Sequence, residues 1–511
     1  MKKKVIIVGA GIAGLSCAIT LAGRGFDILL VSNQASERSG SCMAEGGINA
    51  ALDTYGEGDS VEKHFEDTRN NALKVADEEG IRGLTQAAPD IVRWLQDLGV
   101  RFTLTGDGRI DVRYFGGQKL RRTAYAGDST GKQIMTALID RARKYEAAGS
   151  IQRLSHHSFQ RLRVCGKKIL GFVLKDDFTE ETLELTAPAV VMAVGGYHGI
   201  FGNTTGSRAD SGEAAAVLFY QGVPMSNPEF IQFHPTTVSN GAKRLLITEA
   251  ARGEGGRLCT LQKGMPDYFM EKKYPEMKNR MPRDITSREI IRQKSQCYLD
   301  LTGLDPAVFE HKLSELRENC LLYLGRDPIR DLIPVSPGIH YFMGGISVDT
   351  KHRAGLEGLY AAGECAACYH GANRLGGNSL LGAVYGGRTA AETIAEEYSA
   401  LEEGSEGLSE DPYTAPPEGA AERSEIAAIL NEALGILRNE EDLQTAGQKL
   451  KKYTGPVGIF AGASVACALN RRESRGAHYR SDHTAMDPAF DGASIVTYDG
   501  KEIRIDIHHF R

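Results

Sequence analysis

Val5-Ile6-Ile7-Val8-Gly9-Ala10-Gly11-Ile12-Ala13-Gly14 decides the fold. Four apolar, mostly β-branched residues read as a strand, and the residues from Ile12 to about Arg24 read as a helix. A second apolar run, Ile28 to Val31, returns as a strand, so the first thirty residues form a βαβ unit. Gly9, Gly11 and Gly14, with Ala13 among them, sit where the strand turns into the helix. There they let the backbone approach a pyrophosphate held at the helix N-terminus, where unpaired N–H groups and the helix dipole favour an anion. At the end of the second strand the generic fingerprint has an acidic residue for a ribose, whereas this chain has Ser32 and Asn33. A hydroxyl donates and accepts but carries no charge, so the turn alone does not separate a nicotinamide from a flavin dinucleotide.

Outward from that unit, 511 residues at 41% hydrophobic exceed what one core accommodates, and two or three domains are expected. Sixty Lys and Arg against 66 Asp and Glu leave a net charge of -6, which excludes a broad field for nucleic acid or an anionic membrane. Met1-Lys2-Lys3-Lys4 before an apolar run imitates a secretory signal, but glycines interrupt the run and no small-residue cleavage site follows. No apolar stretch approaches the ~20 residues of a membrane span, so a cytoplasmic protein is expected. The nine cysteines lack the paired spacings of zinc or iron-sulfur sites; Cys365 and Cys368 form a lone CxxC, and no metal is expected.

Further strand-like runs, Ala189 to Val194 and Leu359 to Ala362, each lead into a glycine turn and extend the same α/β sheet. Pro224 to Tyr341 departs from that rhythm and reads as an insertion. The expected organisation is a discontinuous Rossmann-like dinucleotide domain over 1–223 and 342–400 with an α+β capping domain inserted over 224–341. A Glu-, Gly-, Pro- and Ser-rich linker over 401–423 and a short C-terminal helical domain over 424–511 complete it.

Six further motifs identify the family. Ala44-Glu45-Gly46-Gly47-Ile48-Asn49-Ala50, Gln232-Phe233-His234-Pro235-Thr236, Thr248-Glu249-Ala250-Ala251-Arg252-Gly253-Glu254 and His340-Tyr341-Phe342-Met343-Gly344-Gly345 are four of them. Gly358-Leu359-Tyr360-Ala361-Ala362-Gly363-Glu364 and Gly371-Ala372-Asn373-Arg374-Leu375-Gly376-Gly377-Asn378-Ser379-Leu380 are the others. In order and spacing they resemble the flavoprotein subunits of succinate dehydrogenase and fumarate reductase, a superfamily shared with L-aspartate oxidase, over most of the chain. The resemblance implies FAD, with Ser41 and the backbone of Ala44, Gly46 and Gly47 near the isoalloxazine. It places Glu364 on the ribose or ribityl hydroxyls and adds Asp210, Ser379 and Leu380 to the cofactor site. Membrane-bound members carry a flavin-linked histidine five residues before the residue at Glu45; here that position is Gly40, which implies non-covalent FAD.

A dicarboxylate needs a cationic or donor group at each end, a hydride at flavin N5 and a proton donor on the opposite face of the C=C bond. By resemblance, His234 and Thr248 hold one carboxylate, while His340 and Arg374 hold the other and twist it out of conjugation. Arg283 in Met281-Pro282-Arg283-Asp284 matches the family's proton donor, with Glu249 and Arg252 as its relay to solvent. Arginine's reference pKa lies above about 12, so it works as an acid only inside such a relay.

Phe115 before Gly116-Gly117 stands where L-aspartate oxidases carry a glutamate for the substrate ammonium, and an apolar ring cannot compensate a desolvated ammonium. Gly376-Gly377 after Arg374-Leu375 is likewise that of the succinate and fumarate branch. Fumarate–succinate interconversion is therefore expected, with fumarate reduction as the working direction because non-covalent flavins have lower potentials. L-Aspartate oxidation, or reduction of another activated C=C acid, is the alternative. A scaffold subunit that binds FAD without turnover has no physical reason to keep His234, Arg283, His340 and Arg374. The segment from Glu364 to His370 is one residue shorter than in the relatives, Gly382 replaces an acidic residue, and the C-terminal region is shorter. Glu473-Ser474-Arg475-Gly476-Ala477-His478-Tyr479-Arg480 resembles the partner-side motif of the family, against the plainer reading of a solvated charged turn. It implies a separate iron-sulfur subunit, with a peripheral location at the inner membrane face through that partner as the variant of the cytoplasmic expectation.

Overall fold

The computed structural model describes residues 3–241, 243–402, 415–416 and 418–510. The expected βαβ unit is present as strand Lys4–Val8, helix Ile12–Gly23 and strand Asp27–Ser32. These strands belong to a five-stranded parallel sheet in the order Leu359–Ala361, Val190–Met192, Lys4–Val8, Asp27–Ser32, Ile151–Ser155. A parallel sheet is covered on both faces, which is why its strands read as continuous apolar runs. One face packs the helix Ile12–Gly23 and the long helix Asn378–Glu402. Gly9 has φ +113, and a Cβ there would stand 2.0 Å from the Ala193 carbonyl oxygen, so the turn admits only glycine.

The inserted region carries a six-stranded antiparallel sheet in the order Lys243–Leu246, Ile231–Asn240, Ile333–Phe342, Cys297–Asp300, Arg257–Gln262, Met265–Asp267. Its own apolar cluster includes Leu258, Phe269, Ile290, Leu299, Phe309 and Ile333, and Phe115 of the nucleotide-binding part joins that cluster. The register between Ile231–Asn240 and Ile333–Phe342 shifts on either side of His234. Pro235 cannot donate to a ladder and is accommodated at such a bulge, which re-aims the side chain beside it.

Beyond the described part of the expected linker, whose residues 403–414 and 417 lie outside the described residues, three helices follow: Ala420–Ala433, Glu440–Leu450 and Pro456–Asn470. The C-terminal part is not helical throughout. Strands Ala493–Tyr498 and Ile503–His508 form a hairpin that pairs with Met225–Ser226, in a sheet completed by Gly345–Ser347 and Ala366–Ala367. Met225–Ser226 thus lies in this sheet, and the cap sheet begins only at Ile231. The nine cysteines are free thiols, and no described helix is long and apolar enough to cross a membrane.

Candidate active site

A cavity of about 740 Å³ runs from the glycine turn at Gly9 to the cap strands. At its nucleotide end lie Gly9, Gly11, Ala13, Ser32, Ser41, Ala44, Gly46 and Gly47, joined by Asp210, Glu364, Ser379 and Leu380. Gly14 is set behind the turn: a Cβ there would come within 1.9 Å of the Gly9 carbonyl oxygen, so it serves the approach of helix to strand. Ser32 donates its hydroxyl to the Gln34 carbonyl at 2.7 Å, and the Ser41 hydroxyl accepts from the Ile12 N–H at 3.3 Å, at the start of the helix. One carboxylate oxygen of Glu364 accepts from the Phe342 N–H at 3.0 Å and faces His198 Nε2 at 3.3 Å. A Cβ on Gly40 would stand 2.5 Å from Asp210 Oδ2, so the Asp210 carboxyl occupies the space beside this glycine. Burial raises that carboxyl to about 7, with His198 opposing and Glu364 reinforcing the shift. A cavity that begins at the bare backbone of Gly9 and Gly11 fits a dinucleotide.

At the other end the cavity is walled by Phe115, His234, Thr248, Glu249, Arg283, His340 and Arg374. Arg374 is 2% exposed and lies over the Tyr341 ring at 4.2 Å, yet its Nε and Nη2 have no hydrogen-bond partner. Burial, with Arg283 beside it, lowers its pKa to about 9. His234 Nδ1 accepts from the Thr236 N–H at 3.3 Å, which leaves the ring proton on its buried, unpartnered Nε2. His340 pairs Nδ1 with Thr205 Oγ1 at 2.7 Å, and the two imidazoles stand 5.0 Å apart at 63°. Burial and the nearby Arg283 hold both histidines well below their ordinary pKa, so both are neutral. Unpaired buried donors cost free energy, and here they converge on one chamber.

Arg283 donates through Nε and Nη2 to Glu249 Oε2 at 3.0 and 2.6 Å, and through Nη1 to Gln232 Oε1 at 3.0 Å. Arg252 does not line the cavity; it stands behind Glu249, donating to Oε1 at 2.6 Å and to the Asn279 carbonyl at 2.7 Å. Burial alone would raise the Glu249 carboxyl, but Arg283 and Arg252 together hold it down to about 2, so it is ionised between two guanidiniums. Thr248 is 1% exposed.

The sequence reading missed Gln232, which donates to Asn373 Oδ1 and the Arg374 carbonyl, each at 2.8 Å, besides receiving Arg283. The register shift between Gln232 and Phe233 interrupts the strand's alternation, so the place of Gln232 two residues before His234 did not mark it. Tyr341 and Thr205 were also missed, and nothing in the spacing of Thr205 marks it. The expected partner-side segment is neither a solvated turn nor an exposed patch: Glu473, His478 and Arg480 are fully buried and Arg475 is 4% exposed. Arg475 pairs with Glu473 at 2.8 Å, and Arg471 bridges Glu473 to Glu229 at 3.0 and 2.8 Å.

Residues 4–380 match the FAD binding domain family, and residues 457–510 match the fumarate reductase flavoprotein C-terminal family. The chain is 36% identical to the succinate dehydrogenase flavoprotein subunit of Bacillus subtilis, over 94% of this chain and 91% of that one. It is 34% identical to the L-aspartate oxidase of Caulobacter vibrioides, over 97% and 96%. The solved E. coli quinol fumarate reductase chain superposes with a TM-score of 0.85 at 28% identity, covering all of this chain and 97% of that one.

Proposed function

The chain is an FAD-binding oxidoreductase of the succinate dehydrogenase and fumarate reductase flavoprotein family, and from that premise we propose that it reduces fumarate to succinate with non-covalently held FAD. The observation that carries the reading is the pair of unsatisfied donors, Arg374 and His234, which line one chamber. Two carboxylates satisfy them together, and a charge-assisted bond to each guanidinium nitrogen is among the stronger contacts a site offers.

In this reading Arg374 and His340 take one carboxylate, His234 and Thr248 the other. Bound FAD, held by the glycine turn, the Ala44 to Gly47 backbone and Glu364, supplies the hydride. Arg283 gives its proton to the second carbon of the double bond. The conjugate base so formed sits 2.6 Å from Glu249, and the proton is restored along Arg252, Glu249 and Arg283. The ionised Glu249 keeps both guanidiniums charged until that moment. Gly40 offers no atom for a flavin bond, and the Asp210 carboxyl fills the adjoining space, which supports non-covalent attachment. A separate iron-sulfur subunit is the proposed electron partner.

The test is anaerobic: the purified chain is reduced with dithionite and the flavin absorbance is followed on adding fumarate, with the oxidised chain offered succinate and L-aspartate in parallel. Fast re-oxidation by fumarate that disappears in Arg283→Ala supports the reading. Ready succinate oxidation without fumarate turnover reverses the direction. Reduction by aspartate alone means that Phe115 does not set the specificity.

A further inference from the structure

Behind the chamber lies a set of buried polar side chains that the reaction just described does not use. Gln118 is 1% exposed, and Asn49, Thr123 and Asn378 are fully buried. Gln118 Oε1 accepts from the Phe115 N–H at 3.1 Å; its Nε2 donates to Asn49 Oδ1 at 2.8 Å and to the Gly376 carbonyl at 2.9 Å. Asn49 Nδ2 donates in turn to the same Gly376 carbonyl and to Asn378 Oδ1, each at 2.7 Å.

Three chain segments therefore meet on one side-chain amide: the loop ending in Phe115, the strand that continues from Gly46-Gly47, and the loop from Arg374 to Asn378. The last loop is the consequential one. No partner holds Arg374 Nε or Nη2, so the place of the guanidinium depends on its stacking over Tyr341 and on the peptide that carries it. That peptide is seated closely: Gly377 has φ +84, and a Cβ there would stand 2.1 Å from Asn49 Oδ1. A fully satisfied buried network of this kind rigidifies what it touches, whereas a partly satisfied one does not.

We infer that Gln118 is a positioning residue for the dicarboxylate site, its amide fixing the separation between Phe115 and the loop that presents Arg374. The inference rests on the reading of the chamber as a dicarboxylate site. Each end of the amide does one part: Oε1 holds the Phe115 backbone and Nε2 holds the Arg374 loop.

The experiment uses FAD-loaded full-length protein with a dithionite-reduced viologen as donor, and reads KM and kcat for fumarate. Gln118→Met keeps length and neutrality but removes both hydrogen-bonding ends. It is expected to raise KM roughly tenfold, the scale of one lost hydrogen-bonded contact, with flavin content unchanged and kcat lowered less. Gln118→Glu keeps the acceptor for Phe115. Its neutral acid donates to Gly376 or Asn49, its ionised form to neither, so KM of this variant climbs with pH relative to wild type. A lowered Tm with wild-type KM, and parallel pH profiles for Gln118→Glu and wild type, overturn the inference and leave Gln118 a core residue. If Gln118→Met does not fold, the pH profile of Gln118→Glu decides alone. Wild-type protein inert towards fumarate fails the dicarboxylate reading instead, a separate result.

Discussion

Arg283 differs from the other arginines of the chamber in having every arm of its guanidinium engaged: Nε and Nη2 on one oxygen of Glu249, Nη1 on Gln232. A lysine keeps the charge but is a single point donor, so it cannot hold Glu249 and Gln232 at once. Arg283→Lys is expected to lower kcat for fumarate by roughly a hundredfold or more while dicarboxylate affinity changes little, the pattern of a contact made only in the transition state. An equal loss of affinity, measured by titrating the flavin spectrum with a non-reacting dicarboxylate, would place Arg283 among the binding groups instead. Asp210 supports a second prediction. Its carboxyl, raised from 3.8 to about 7 chiefly by burial, binds its proton more tightly folded than unfolded. The native state therefore loses stability as pH rises between those two values and stays at that cost above them. Two titratable groups face it, His198 and Glu364, and His198 is itself pushed up by Glu364 and Asp210 against its burial. Asparagine cannot ionise, so Asp210→Asn is expected to raise the Tm of the FAD-free protein more at pH 8 than at pH 5. The same increment at both values would mean that Asp210 titrates as an ordinary carboxylate.

At the scale of elements, the nucleotide-binding unit was legible because two constraints coincide there: strands buried on both faces are written as unbroken apolar runs, and the turn between them tolerates only glycine. Gly9→Ala tests the second constraint. Its Cβ would meet the Ala193 carbonyl at 2.0 Å in a backbone of positive φ, so the turn must shift, and the variant is expected to purify with little or no FAD while retaining most of its helical circular dichroism. A flavin content near that of wild type would show that the turn yields. The C-terminal hairpin was legible too but went unread. Asp499-Gly500 lies between Ala493–Tyr498 and Ile503–His508, and Ile503, Ile505 and Ile507 alternate with Arg504 and Asp506. That is a hairpin signal in period and in turn chemistry. The bulge at His234-Pro235 was only half visible: proline marks an interruption, but which way His234 then faces depends on pairing with Ile333–Phe342, about a hundred residues away in the chain. Gln118 was illegible for the same reason, since its partners at 49 and 376 have no sequence relation to it.

At the scale of the whole molecule, the position of the apolar clusters decides which parts stand or fall together. The cap has a cluster of its own, joined to the rest of the chain through Phe115. The C-terminal helices do not: Ile426, Leu430, Leu434, Leu443, Leu450 and Phe460 bury into the same cluster as Ile6, Val8, Leu29 and Val31 of the nucleotide sheet. At ~1.5–3 kcal/mol for each large apolar side chain taken out of water, those six alone match the ~5–15 kcal/mol by which a whole domain is stable. The charged segment expected to face a partner reinforces this, because Arg471 is fully buried between Glu229, at the entry to the cap strands, and Glu473. Breaking such a bridge leaves a carboxylate buried and uncompensated, at a cost of ~3–5 kcal/mol. A chain ending at Gly419 is therefore expected to lose soluble expression and FAD together, although every residue of the glycine turn and of the chamber remains in it. Tryptic mapping and the flavin absorbance of the soluble fraction measure this. A truncated chain that stays soluble and binds FAD stoichiometrically would mean that the nucleotide sheet closes its lower face without the C-terminal helices, and the shared cluster would then reflect packing after folding rather than a condition for it.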